Sequence, residues 1–248
     1  MTAPDVSVVI PLYRTAEAVP ELGRRLACAL DDAGLTFELL LVDDACPAGS
    51  AGAAAALSVA DSRAHVVSLA RNVGQHAAAL AGLARAHGDW SVVMDGDLQD
   101  PPEAVPELLR AGRVAGVPVV FAGRRGRYES RTRLLTSRLY KRTLSRLAGV
   151  PPDAGIFVAL ERPVVEKLLT MRTRCRPSMV AMIGCAGFPM RSVPVERVQR
   201  PEGESSYSPW GRLRLGWRAV AWVVAWKLGR RLHAPAEGKE YAVGRADA

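Results

Sequence analysis

The sequence predicts an α/β domain, a mostly parallel sheet covered by helices on both faces. Apolar, β-branched runs of strand length alternate along the chain with stretches of helical periodicity, the order that builds such layered sheets. The first run, Val6-Ser7-Val8-Val9-Ile10-Pro11, is apolar at nearly every position, as a strand buried on both faces is, and proline stops it. The 248 residues suffice for one medium domain with an extension and a sizeable core.

Taken in order, residues 6–11 form the first predicted strand and residues 12–15 a loop. Residues 16–33 predict an amphipathic helix with Val19, Leu22, Leu26 and Leu30 on one face. A second strand, 37–42, delivers Asp43 and Asp44 at its end. A Gly/Ala-rich helix leads to a third strand, 66–69, followed by Arg71-Asn72-Val73-Gly74. A helix from 75 to about 87 precedes the fourth strand, 90–94. Beyond Asp95-Gly96-Asp97-Leu98-Gln99, a helix over 100–115 is entered through Pro101-Pro102 with Glu103 in its acidic first turn. Residues 117–121 are the fifth strand, 134–147 a basic helix, 162–171 a further helix and 193–198 another strand.

Net charge is +8, most of it from arginine, which suits phosphate-bearing partners or a compositional bias toward Arg. Five arginines fall within residues 123–133, but stacking aromatics are sparse there, so nucleic acid is not an expected partner. A solvated basic face is the alternative. The four cysteines have no metal or redox spacing, which favours a reducing compartment, and the four histidines form no ligand pair at helical spacing. No signal peptide is visible, and no run of about 20 apolar residues predicts a membrane span. The expected location is cytoplasmic. From Pro209 onward the chain is basic and Trp-rich, with Trp210, Trp217, Trp222 and Trp226 interleaved among arginines. That segment suits either a helix lying in an anionic membrane surface or one packed on the core or a second subunit.

Chemistry concentrates after the fourth strand. Asp95 and Asp97, at alternate positions, suit a hard divalent cation, and Gln99 adds a neutral oxygen on the same alternation. Mg²⁺ and Mn²⁺ take such oxygens and share them with substrate phosphates. A solvated acidic turn is the alternative. Four clusters, at 11–13, 43–44, 71–74 and 95–99, all fall beyond the carboxyl ends of predicted strands, where ligands bind in such sheets. No Gly-rich phosphate loop follows the first strand, which argues against a nicotinamide enzyme or an ATPase. For Asp43 and Asp44, capping a helix is the alternative role, and for Asp153 it is a turn before a strand.

Asp95-Gly96-Asp97-Leu98-Gln99-Asp100-Pro101-Pro102-Glu103 resembles the Asp-X-Asp motif of family 2 glycosyltransferases, and more narrowly that of the dolichyl- and polyprenyl-phosphate sugar transferases. Pro11-Leu12-Tyr13, Asp43-Asp44 and Arg71-Asn72-Val73-Gly74 match in the family's order. Gly123 with Arg124 or Arg125, then Arg133, Ser137 and Tyr140, resemble its Gly-X-Arg and Ser-X-X-Tyr pattern. Asp153-Ala154-Gly155-Ile156-Phe157 resembles Asp-X-Gly-X-Phe, and the stretch from Arg200 to Tyr207 its Arg-X-X-Gly-X-Ser-Lys-Tyr.

The resemblance implies a GT-A, Rossmann-like fold over residues 1–208, then the Trp-rich helix at 209–233 and a polar tail at 234–248. It implies an inverting, metal-dependent glycosyltransferase that moves a sugar from a UDP- or GDP-linked donor to a polyprenyl phosphate. Donor-binding residues would be Pro11, Leu12, Tyr13, Asp43, Asp44, Arg71, Gly74, Asp95, Gly96 and Arg200. Asp95, Asp97 and Gln99 would hold Mg²⁺ or Mn²⁺. Arg124 and Arg133 would clamp phosphates, and Asp153 is the best remaining carboxylate for the reaction centre. Peripheral contact with the inner face of the membrane is then expected. A glycosyltransferase acting on a hydroxyl of a small metabolite or glycan is the alternative. The chain departs from the family at Arg14-Thr15, where Asn-Glu is usual, at Ala45-Cys46, where Gly-Ser is usual, and at Ser206, where Lys is usual. The first two leave the base of the nucleotide open; oligomeric state is open as well.

Overall fold

A computed structural model describes residues 3–125, 142–171, 178–197 and 219–228, with backbone alone at 124 and 125. Among the described residues seven strands form one sheet in the order β3-β2-β1-β4-β6-β5-β7. The first half follows the expected alternation: β1 (Val6–Leu12), α1 (Val19–Asp32), β2 (Phe37–Asp43), α2 (Ser50–Ala60), β3 (Ala64–Ser68), α3 (Gln75–Leu83) and β4 (Trp90–Val93). A 3₁₀ turn at Pro102–Ala104 then leads into α4 (Val105–Ala115) and β5 (Val119–Arg125). After α5 (residues 142–148) come β6 (Val158–Glu161), α6 (Arg162–Thr170), α7 (Met179–Ala186), β7 (Met190–Glu196) and α8 (residues 219–227).

The central strands are buried along their whole length because helices cover both faces. Alternate residues of β1 serve opposite cores. Val9 faces a cluster closed by Ala78 of α3, Leu168 of α6 and Ile183 of α7. Val8, Ile10 and Leu12 face a second cluster with Leu22 and Leu26 of α1 and Leu108 of α4. Trp222 and Val223 of α8 are buried in the first cluster and Ala219 is buried as well, so that face of the Trp-rich helix packs on the core. Among the described residues no helix is long and apolar enough to cross a membrane.

α1 begins at Val19 rather than 16 and α3 ends at Leu83 rather than near 87, and three further elements differ from the sequence expectation. β6 is antiparallel and lies between β4 and β5, which therefore do not pair with each other. Its four residues are too short a run for periodicity to identify. α7 is buried over Met179–Ile183 and so lacks the polar face that marks a helix in a sequence. β7 begins at Met190, three residues before the expected start, in a half-exposed edge strand whose alternation is blurred.

A polar network closes the edge of the sheet where β1 and β2 begin. Glu38, opposite Ser7 in the β1–β2 register, accepts the Ser7 hydroxyl at 2.6 Å and the His87 amide N–H at 2.7 Å. Ser7 Oγ in turn accepts the Gly88 N–H at 2.8 Å. Burial alone would push the Glu38 carboxyl up, but the bonds from Ser7 and from the His87 amide and ring outweigh it and hold it below its ordinary value. Because the folded-state value is depressed, the stability this carboxylate contributes is present above pH 4.5 and is lost as pH falls through the folded value. Glu38→Ala is expected to cost about 2–3 kcal/mol at pH 7 by urea unfolding, with the deficit shrinking in acid.

Candidate active site

β1, β2 and β4 run parallel and end together: Leu12 pairs with Asp43, and the Met94 N–H donates to Val9 O at 3.2 Å. β6 runs the other way, so residues 153–157 enter the sheet at this same edge. β5 and β7 leave there, with Arg124 opposite Val195 and Arg125 opposite Glu196. The four predicted clusters, Asp153 and Arg124 therefore meet along one edge. Arg133 and Arg200 lie outside the described residues.

Asp43 and Asp44 divide two tasks. The Asp44 carboxylate accepts the N–H groups of Val73 at 2.6 Å and Gly74 at 2.8 Å, and its main-chain oxygen accepts Asn72 Nδ2 at 3.2 Å. These bonds tie the end of β2 to the entry of α3, where Gly74 takes a left-handed φ of +87°. Asp43 accepts the Cys46 N–H at 3.3 Å, and burial, helped by the neighbouring charge of Asp44, pushes its carboxyl above the ordinary value. Leu12 is fully buried, so it can offer a ligand only its backbone. Tyr13 is exposed beneath the guanidinium of Arg14, 5.5 Å from the ring centre, and Arg71 is exposed.

Strain gathers on the same edge. Among the described residues the non-glycines with positive φ are Arg14 (58°), Ala45 (49°) and Leu98 (60°), one in each loop after β1, β2 and β4. Such conformations cost about 1–3 kcal/mol each and cluster where a loop must aim groups at a ligand.

The Asp95 loop carries the densest charge. Asp95 accepts Gln75 Nε2 from the first turn of α3 and Arg197 Nη2 at 3.1 Å. Arg197 also donates from Nη1 to Gln99 Oε1 at 3.3 Å and from Nε to Asp100 Oδ1 at 2.5 Å. Asp97 Oδ1 accepts the Gln99 N–H at 3.1 Å. Burial opposes the charge on Arg197, yet the bond to Asp100 and the charges of Asp100, Asp95 and Asp97 hold its pKa above the ordinary value. Gly96 lets this loop lie on β1: a Cβ there would come within 2.9 Å of Leu12 Cδ2 and 3.3 Å of Ile10 Cγ2. Gln75, Asp100 and Arg197 escaped the sequence reading. For Arg197 a signal existed, since alternation through β7 puts it on the face of the buried Val193 and Val195, an unusual place for a cation.

Asp153 belongs to a second group. Its Oδ2 accepts the Ser192 hydroxyl at 2.8 Å, and both side chains press on Gly123, where any Cβ would collide with them.

Among the described residues no three of His, Cys, Asp and Glu are arranged to hold an ion. The chain can thus offer two carboxylates, Asp95 and Asp97, with the amide oxygen of Gln99. This all-oxygen set fits Mg²⁺ or Mn²⁺, whose remaining ligands are commonly phosphate and water. Asp100 Oδ2, buried beside them without a hydrogen-bond partner, marks the place as one short of positive charge.

The fold is that of the GT-A glycosyltransferases. Mannosyl-3-phosphoglycerate synthase from Rubrobacter xylanophilus superposes with a TM-score of 0.63 at 22% identity, over 95% of this chain and 78% of that one. Glucosyl-3-phosphoglycerate synthase from Mycobacterium tuberculosis, solved with Mn²⁺, UDP-glucose and phosphoglyceric acid, gives 0.61 at 22%, over 91% and 80%. A Pyrobaculum calidifontis mannosyltransferase bound to GDP-mannose and Mn²⁺ gives 0.58 at 16%, over 92% and 76%. Residues 7–193 match the model of glycosyl transferase family 2, and the chain belongs to that family. Undecaprenyl-phosphate 4-deoxy-4-formamido-L-arabinose transferases of Salmonella paratyphi A and Salmonella enteritidis are 36% identical over 212 residues, 82% of this chain and 62% of theirs. The chain thus spans less than two thirds of the length of these relatives.

Two outcomes follow from the geometry. The raised Asp43 value means that its protonated form is favoured on folding, a contribution complete below pH 3.8 and lost as pH rises through the folded value. Asp43→Asn should therefore melt higher than the parent at pH 7, with the gap closing in acid. Gly123→Ala should force Asp153 and Ser192 apart and destabilise the fold by about 1–3 kcal/mol in urea unfolding, with the circular dichroism spectrum retained.

Proposed function

We propose that this chain transfers a sugar, with inversion, from a UDP- or GDP-linked donor to a polyprenyl phosphate, using Mg²⁺ or Mn²⁺ held by Asp95, Asp97 and Gln99. The observation that carries the reading is the meeting of Asp43, the α3 entry and the Asp95–Asp97–Gln99 set on one sheet edge, in a family 2 chain with undecaprenyl-phosphate transferases among its relatives.

A bound divalent ion supplies Lewis-acid stabilisation of the leaving diphosphate. The Asp43 carboxylate accepts a base N–H or a ribose hydroxyl, Tyr13 flanks the base, and Pro11, Leu12, Gly74 and Gly96 bring backbone close to the donor. Asp44 serves the donor indirectly, by fixing the α3 entry. Arg71 and Arg200 would bind the donor phosphates, while Arg124 and Arg133 would clamp phosphates of donor or acceptor, which a guanidinium fork suits. A phosphate monoester, with a second pKa of about 6, is already ionised at neutral pH and needs little help from a base. Asp153, fixed by Ser192, then orients the acceptor; with a hydroxyl acceptor it would have to take the proton. Residues 1–208 form the catalytic unit. The outward side of α8, where Val224 and, just past its end, Leu228 are exposed, rests against the cytoplasmic face of the membrane that carries the acceptor.

The direct test offers labelled UDP- and GDP-sugars together with undecaprenyl phosphate or a soluble alcohol, with and without Mn²⁺. Label in the lipid product supports the proposal. Label in the alcohol alone moves the acceptor to the hydroxyl class, and an absence of both transfer and donor hydrolysis overturns the enzymatic reading. Asp97→Asn should lose at least about 10³-fold in metal-dependent turnover while remaining folded. Arg133→Ala should raise the apparent KM for the phosphate acceptor about tenfold or more, as expected for losing a charge-assisted bond; an unchanged KM removes Arg133 from that role.

A further inference from the structure

The reading above assigns Asp95, Asp97 and Gln99 to an ion and leaves Arg197 and Asp100 without a task. We propose that Arg197 is a built-in counter-cation that occupies the acidic loop until a divalent ion enters with the donor, and that the two cations exchange at Asp95 and Gln99. This rests on the metal assignment made under Proposed function.

The guanidinium spans the site in one plane of donors. Nη2 holds Asp95, Nη1 holds Gln99, and Nε holds Asp100. Two of these three acceptors are groups assigned to the ion. The third is not: Asp100 is 1% exposed and has one oxygen with no partner, so its buried charge depends on Arg197. An arginine does not shed its proton in a protein, so its charge stays in the cleft whatever else arrives. A divalent ion on Asp95 and Asp97 would meet that charge at close range, and the Nη groups and the ion would compete for the same oxygens. The bond from Nε to Asp100 lies outside the ion's ligands and can persist as a tether. Two consequences follow. Ion binding without nucleotide is weakened, because Arg197 already neutralises one of the loop's three carboxylate charges and holds two of the oxygens the ion would take. A nucleoside diphosphate restores the balance by bringing its own negative charge, so ion and donor bind cooperatively.

The experiment measures Mn²⁺ affinity by electron paramagnetic resonance of the free ion, for the parent, Arg197→Gln and Arg197→Lys, alone and with saturating UDP or GDP. Without nucleotide, Arg197→Gln should bind Mn²⁺ about tenfold tighter or more, since a nearby positive charge has gone, and the tightening caused by nucleotide should shrink by the same factor. Arg197→Lys keeps the charge but cannot span three acceptors, so its affinity should fall between the two. It also carries the test if the Gln variant does not fold. Mn²⁺ binding to the variants no tighter than to the parent overturns the exchange while leaving the metal assignment standing. A parent and variants that bind no Mn²⁺, with or without nucleotide, overturn the metal assignment and the exchange together.

Discussion

Burial on both faces leaves the central strands nowhere to place charge except at their ends. β1 and β2 are sealed between two apolar clusters, so each polar group they carry is driven to one margin of the sheet or the other. Where the strands begin, the carboxylates of Glu38 and Asp5 are hydrogen-bonded and serve stability. Where they end, Asp43, Asp44, Asp95, Asp97 and Asp100 gather in loops, and their mutual repulsion is relieved by amides, by Gln75 and by Arg197. The separation of a structural margin from a chemical one is thus a direct result of the layered core.

The chemical margin is also rigid for a physical reason. Asp44 binds two successive amides at the α3 entry, and Gln75 reaches from that entry to Asp95, so the loops after β2, β3 and β4 form one hydrogen-bonded unit. Left-handed residues at Ala45 and Leu98 persist because this unit and the packing of Gly96 on β1 over-determine the backbone, and Arg14 is tied to the same edge by its N–H bond to Cys46 Sγ. Groups held in this way need little reorganisation when a charged ligand arrives.

Much of this was legible in the sequence because strand burial and loop chemistry leave local marks. β1, β2 and β4 could be read from apolar runs that stop at Pro11, Asp43 and Asp95, and their common edge follows from parallel topology. β6 and α7 were illegible for opposite reasons: one is too short for any period, and the other is apolar on all sides. The division between Asp43 and Asp44 could not be read, since adjacent identical residues differ only in what folds against them. Arg197 lies about a hundred residues from its partners, and such a link becomes visible only when β7 closes the sheet.

The antiparallel placement of β6 has a consequence for how the molecule is made. β4 has one neighbour, β1, among the strands that precede it, and its other side is met only by β6, from Val158 to Glu161. Were the first four strands to pair before the later segment folds, an apolar strand beginning at Trp90 would present an unsatisfied hydrogen-bonding edge. Any intermediate in which β1 to β4 have paired without β6 would be a vulnerable half-sheet, and the addition of one four-residue strand covers that edge of β4.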